Sequence, residues 1–188
     1  MNEGANSSAR FRTALVLGGA RSGKSRFAQG LAERARANRI FVATAQAGDE
    51  EMRLRIDRHR RERGAGWSTV ETPTDLAAVV ARESRQDFVL LVDCITLWLS
   101  NLMAAGRDPE KSVEQLIRLL PEAPGPVILV SNEIGLGLVP ETALGREFRD
   151  CQGRANQRIA AACELAIFVA AGCPMQLKPA LSGAYLAK

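Results

Sequence analysis

Histidine is almost missing from this chain: His59 is the only one in 188 residues. Cysteine is nearly as sparse, with four, at Cys94, Cys151, Cys163 and Cys173. No two of them form a C-x-x-C pair, and one histidine cannot complete a zinc cage, so a structural metal centre and a disulfide framework are both excluded as expectations. The cysteines are expected to be buried, reduced thiols of a cytoplasmic protein. Aromatic residues are only 5% of the chain, and no basic stretch is interleaved with them. That leaves little stacking surface for single-stranded nucleic acid. No apolar run reaches the roughly 18 residues needed to span a bilayer. The opening MNEGANSSARFR has no apolar core, so no secretory signal is expected, and residues 1–12 are expected to form a mobile polar tail. Internal repeats, low-complexity tracts and interdomain linkers are also lacking, so residues 13–188 are expected to be one domain.

What is present has the balance of a globular protein: 46% hydrophobic, 24% charged, with a formal net charge of +4. Mild basicity suits an anionic ligand such as a nucleotide as well as it suits nucleic acid. Apolar runs predict strands at Thr13–Gly18, Arg39–Thr44, Asp87–Asp93, Val127–Ser131 and Leu165–Ala170, alternation predicts one at Trp67–Glu71, and a short one is expected at Met175–Lys178. Helical spacing predicts helices at Lys24–Ala37, Asp49–Arg63, Asp75–Arg85 and Ile95–Ala105. Another opens at Pro109, a first-turn proline, and a long one lies between Glu141 and Cys163. Apolar strands alternating with helices predict an α/β fold with a mainly parallel sheet and helices on both faces.

Gly18-Gly19-Ala20-Arg21-Ser22-Gly23-Lys24-Ser25 matches G-x-x-x-x-G-K-[ST], between a strand and a helix. Glycines let the backbone wrap phosphate, successive N–H groups and the helix N-terminus face the anion, and Lys24 supplies a point charge to the β/γ-phosphates. The Ser25 hydroxyl is placed to complete a Mg²⁺ shell. Asp93 ends an apolar strand, where a carboxylate holds Mg²⁺ directly or through water. The same position also suits a turn residue or an N-cap for the helix near Ile95.

The stretch GDEEMRLRIDRHRRERG places its acids first and its bases last, as the helix macrodipole favours. Met52, Ile56, His59 and Arg63 share one stripe, and Arg58, Arg60, Arg61 and Arg63 surround the histidine. Neighbouring cations disfavour imidazolium, and a neutral ring nitrogen is a nucleophile. By its residues alone, however, a charge-rich helix is more often a solvated face. Arg146, Arg149, Arg154 and Arg158 recur at 3-, 5- and 4-residue steps on the long helix, and there too a solvated basic face is the plainer reading. Asn132 and Glu133, in the glycine-containing run Ser131 to Pro140, stand after a strand, where open α/β sheets place ligand loops.

Together these motifs resemble the bifunctional adenosylcobinamide kinase/adenosylcobinamide-phosphate guanylyltransferases. The carrying blocks are LVLGGARSGKSRFA (Leu15 to Ala28), FVATAQAGDEEMRLRI (Phe41 to Ile56), H-x-x-x-R (His59 to Arg63), W-x-T-x-E (Trp67 to Glu71) and LLVDCITLWLSN (Leu90 to Asn101). VSNEIGLGLVPE and FRDCQGRANQRIA, between Val130 and Ala160, complete the series. The resemblance implies a three-layer RecA-like P-loop fold. It also implies phosphorylation of adenosylcobinamide with ATP or GTP, then transfer of GMP from GTP to adenosylcobinamide phosphate through a GMP-histidine at His59. Nucleotide contacts are implied for the P-loop, Ala43, Thr44, Ala45, Arg60, Arg61, Glu62, Arg63, Glu71 and Asp93. Glu71 also has a physical argument, since a strand-end carboxylate accepts from ribose hydroxyls or guanine N–H groups. The implied partners are the corrinoid substrate and further copies of the chain in a trimer, with no nucleic acid and no membrane span. Two other readings stay open on residues alone: a single-activity P-loop kinase, and a RecA-like NTP-driven binding module.

Overall fold

The computed structural model describes residues 11–45, 64 and 66–179. Residues 1–10 of the expected tail lie outside them. So does the expected helix Asp49–Arg63, apart from nothing more than its following Gly64, and with it His59, Arg60, Arg61, Glu62 and Arg63.

Seven strands form one sheet: β1 (Thr13–Gly18), β2 (Asn38–Ala43), β3 (Trp67–Glu71), β4 (Phe88–Asp93), β5 (Val127–Asn132), β6 (Leu165–Ala170) and β7 (Cys173–Lys178). Their order is β3-β2-β4-β5-β1-β6-β7. All pairs are parallel except β6 with β7, which are antiparallel. The described helices are α1 (Lys24–Ala35), α2 (Leu76–Glu83), α3 (Ile95–Ala104), α4 (Pro109–Leu119) and α5 (Ala143–Ala162).

The two-residue period of each central strand feeds two cores. Leu15, Leu17, Leu90, Val92, Val127 and Leu129 pack with Leu76, Trp98, Leu102, Leu116 and Ile159 on one face. Ala14, Val16, Val89, Leu91, Ile128 and Val130 pack with Ala28 and Ala32 of α1 on the other. Small residues on α1 let it lie close to the sheet behind the P-loop. Thus the expected three-layer α/β architecture is the observed one.

The ends of elements follow local chemistry. Asp108 caps α4 by accepting from the Glu110 and Lys111 N–H groups, with Pro109 in the first turn. Thr142 caps α5 by accepting from Gly145. Lys178 Nζ donates to the Ala160 and Ala161 carbonyls at the other end of α5. Arg12 is tied down rather than free: its N–H donates to Glu164 Oε2 at 2.7 Å and its guanidinium to the Ala123 carbonyl. Cys94, Cys151 and Cys163 are buried as expected, but Cys173 is exposed, because β7 is an edge strand with one neighbour. No helix among the described residues is long and apolar enough to cross a membrane.

Candidate active site

Parallel strands bring their C-terminal ends to one edge of the sheet, and the sequence-predicted residues among the described ones gather there. Gly18 closes β1, in register with Asn132 of β5 and Val169 of β6. The chain then folds over in the P-loop. Gly18 has no room for a side chain: a Cβ would stand 2.5 Å from both Ser22 Oγ and the Val169 carbonyl oxygen. Gly23 has φ 93°, a left-handed conformation that glycine adopts without steric cost. Arg21, with φ 55°, takes up the other left-handed position. The loop is pinned by Ser22 N–H to the Gly19 carbonyl at 3.3 Å and by Gly172 N–H to the Ser22 carbonyl at 2.8 Å. Ala20 is exposed and Ser25 half-buried.

Lys24 is the first residue of α1 and is only 9% exposed. Its ammonium donates to the Gly19 carbonyl at 3.1 Å, across the loop that precedes it. The charge is therefore tied to the loop itself.

Asp93 closes β4 two strands away, separated from β1 by β5. The helix N-cap is the next residue, Cys94, whose Sγ accepts from the Leu97 N–H at 3.4 Å. Asp93 is thereby left out of the capping role. The Cys94 thiol senses both halves of the site: burial pushes it up to about 11, the Asp93 charge adds to that, and the Lys24 charge opposes it. Gly18 and Asp93 end β1 and β4 at the same edge of the sheet, with β5 between them.

Ala43 ends β2 and pairs with Asp93 on one side and Glu71 on the other. Glu71 is thus at the same edge, exposed, on the outer strand β3. Thr44 is wholly buried, and its hydroxyl both donates to the Cys94 carbonyl and accepts from the Cys94 N–H, each at 2.8 Å. Asn101 Nδ2 donates to the Thr44 carbonyl at 2.8 Å. Thr44 therefore shapes the turn after Asp93, a task that its place in a family block did not disclose. Ala45 follows, half-buried, and is the last described residue before the charged stretch.

Three polar residues that sequence reasoning passed over anchor the end of β5. Ser131 and Gln152 are fully buried, and Asn156 is 5% exposed. Gln152 Nε2 donates to Ser131 Oγ at 2.8 Å and to Asn156 Oδ1 at 2.9 Å, and Ser131 Oγ donates to Asn156 Oδ1 at 2.7 Å. Asn156 Nδ2 then donates to the Asn132 carbonyl. The available signal was Gln152 and Asn156 standing four apart on the inward face of a helix. The arginines of α5 do not face this site as a group. Arg154 pairs with Glu110 at 3.0 Å, Arg158 with Glu114, and Arg146 donates to the carbonyls of Pro140 and Glu141. They staple α5 to α4 and to its own N-terminal loop.

The donor set suits Mg²⁺. Ser25 offers a hydroxyl and Asp93 a carboxylate, both hard oxygens, and a Mg-nucleotide site needs only one or two protein oxygens beside phosphate and water. Among the described residues no group of three or more His, Cys, Asp and Glu forms a cage of its own.

The family described as cobinamide kinase / cobinamide phosphate guanyltransferase matches residues 14–177 of this sequence. The chain is 50% identical over 167 residues to the bifunctional adenosylcobalamin biosynthesis protein CobP of Pseudomonas aeruginosa, covering 87% of this chain and 96% of that one. It is 38% identical over 179 residues to the bifunctional adenosylcobalamin biosynthesis protein CobU of Salmonella typhimurium, covering 87% and 98%. Among solved structures, flagellar accessory protein FlaH from Methanocaldococcus jannaschii superposes with a TM-score of 0.50 at 14% identity, covering 89% of this chain and 78% of that one. The ATPase EscN of the enteropathogenic E. coli type III secretion system superposes with a TM-score of 0.53 at 12% identity, covering 86% and 43%. At such identities the likeness is one of fold: a P-loop, RecA-like ATPase architecture.

Proposed function

From the premise that this chain belongs to the cobinamide kinase / cobinamide phosphate guanyltransferase family, we propose how its residues divide two reactions at one nucleotide site. The protein is a bifunctional enzyme of cobalamin biosynthesis, a kinase and a guanylyltransferase that use nucleoside triphosphates. The observation that carries the nucleotide site is the placement of the Gly18–Ser25 loop and Asp93 at one edge of the sheet.

In the kinase reaction the loop N–H groups and Lys24 bind the phosphates of ATP or GTP, leaving the γ-phosphorus open to the hydroxyl of adenosylcobinamide. In the second reaction the His59 ring nitrogen attacks the α-phosphorus of GTP, pyrophosphate leaves, and GMP is held as a phosphoramidate. The phosphate of adenosylcobinamide phosphate then attacks that phosphorus, giving adenosylcobinamide-GDP and free His59. Arg60, Arg61 and Arg63 supply positive charge beside it in sequence, and Glu62 lies among them. Glu71 is assigned to ribose or guanine, with Ala43, Thr44 and Ala45 forming the backbone beside them. Ser25 and Asp93 hold Mg²⁺, which when bound neutralises charge on the phosphates.

Incubation with adenosylcobinamide and γ-labelled ATP or GTP tests the first reaction. Incubation of the product with α-labelled GTP tests the second. Label in the corrinoid from both experiments is expected, and its absence from either removes that activity from the reading. The same reading places the enzyme in the cytoplasm as a homo-oligomer, with a trimer expected on sedimentation and no affinity for nucleic acid.

Asp93→Asn keeps the shape but removes the charge that favours the ion. The Mg²⁺ concentration for half-maximal activity is expected to rise roughly 10–100-fold, the range seen when a group orienting a metal shell is lost. An unchanged Mg²⁺ titration would reassign Asp93 to a structural role.

A further inference from the structure

Phosphoryl transfer to an alcohol leaves a proton to be placed, and the sheet edge offers few groups for it. The strand-associated carboxylates there are Glu71, Asp93 and Glu133. Adjacent strands lie about 4.8 Å apart, so β3 is about 19 Å and β4 about 10 Å from β1 across the sheet. Asp93 also carries the metal role. Glu133 follows β5, the immediate neighbour of β1, and its N–H donates to the Gly18 carbonyl at 3.1 Å. It is the carboxylate whose backbone is bonded to the first residue of the P-loop.

The position is built rather than incidental. The Asn132 N–H donates to Thr96 Oγ1 at 2.9 Å, and the Asn132 carbonyl accepts from Asn156 at 3.1 Å. Behind them stands the buried Ser131–Gln152–Asn156 network. Buried polar groups are costly unless bonded, and once bonded they hold one geometry. The half-exposed Glu133 side chain has its Oε1 held by the Gly135 N–H at 2.6 Å. Its Oε2 takes no hydrogen bond among the described residues. One oxygen fixes the carboxylate and the other is left to accept.

We propose that Glu133 is the general base of the kinase reaction, a role that rests on the kinase activity stated above. The substrate oxygen bonds to the γ-phosphorus as the bond from that phosphorus to the β,γ-bridging oxygen breaks. The nucleoside diphosphate leaves with the electron pair, and the hydroxyl proton passes to the Glu133 carboxylate and then to water.

The test is Glu133→Gln and Glu133→Asp, each measured for phosphorylation of adenosylcobinamide across pH and for nucleotide Kd by fluorescent-nucleotide titration. Glutamine keeps the acceptor for Gly135 but cannot take the proton. Its kcat is expected to fall about 10²–10⁴-fold, with nucleotide Kd within threefold and the acid limb of the wild-type pH profile gone. Aspartate is expected to restore part of the rate and the limb. A glutamine variant within threefold of wild type, or one whose rate loss is matched by lost nucleotide affinity with the acid limb intact, overturns the assignment. A wild-type protein that binds nucleotide but phosphorylates no adenosylcobinamide overturns the kinase reading itself, and the base with it.

Discussion

Lys24→Ala is expected to cost both activities about a thousandfold or more while the protein stays folded. Removing a single oriented donor from a charge-stabilising site typically costs about 10²–10³ in rate, and here a full positive charge is removed. A thousandfold corresponds to about 4 kcal/mol of transition-state stabilisation. The structure argues that the effect is catalytic. Lys24 starts α1, where alanine is a good helix former, its ammonium donates to the Gly19 carbonyl of its own loop, and it belongs to neither apolar core, so no core contact is lost. Both reactions are expected to be affected because, on the proposed reading, both draw on a triphosphate held by this loop. Kinetics with γ-labelled and α-labelled nucleotide, beside far-UV circular dichroism and a thermal melt, check it. Survival of either activity near the wild-type rate in folded protein would mean that this activity uses another nucleotide site.

His59→Ala is expected to separate the two activities. The kinase reaction breaks a bond at the γ-phosphorus, whereas a covalent guanylyl transfer needs a nucleophile at the α-phosphorus, and only the latter requires the imidazole. The variant should lose the acid-labile, hydroxylamine-sensitive label that α-labelled GTP leaves on a histidine. It should also stop forming adenosylcobinamide-GDP. Phosphorylation of adenosylcobinamide should remain within about tenfold, since the P-loop and Asp93 are untouched. A variant that still carries covalent GMP excludes histidine as the nucleophile, because the chain has no other. Loss of both activities together with nucleotide affinity would make His59 a binding residue instead.

Much of the architecture was legible in the sequence. β1, β3 and β6 run over the residues their apolar runs or alternation predict, and α4 opens at its first-turn proline. Misjudged ends have specific causes. β2 stops at Ala43 rather than Thr44 because the Thr44 N–H turns to the Asp93 carbonyl and its hydroxyl to Cys94. β7 begins at Cys173 rather than Met175 because Ala171 (φ 50°) and Gly172 (φ 78°) make a two-residue turn with both φ positive, and the strand pairs immediately after it. The packed polar groups Gln152 and Asn156 were missed because a polar residue on a helix reads as solvated until its partner, here Ser131 at the end of β5, is known.

The P-loop, its strand and helix, the strand-end aspartate and the family were determined by the sequence alone, since each is a pattern of neighbours along the chain. Only the tertiary structure decided that β5 lies between β1 and β4. Strand order follows from which distant segments pair, here Val127 with both Thr13 and Leu90, and no local spacing encodes it. That order sets Glu133 beside Gly18, its N–H donating to the Gly18 carbonyl, and holds Asp93 one strand farther out.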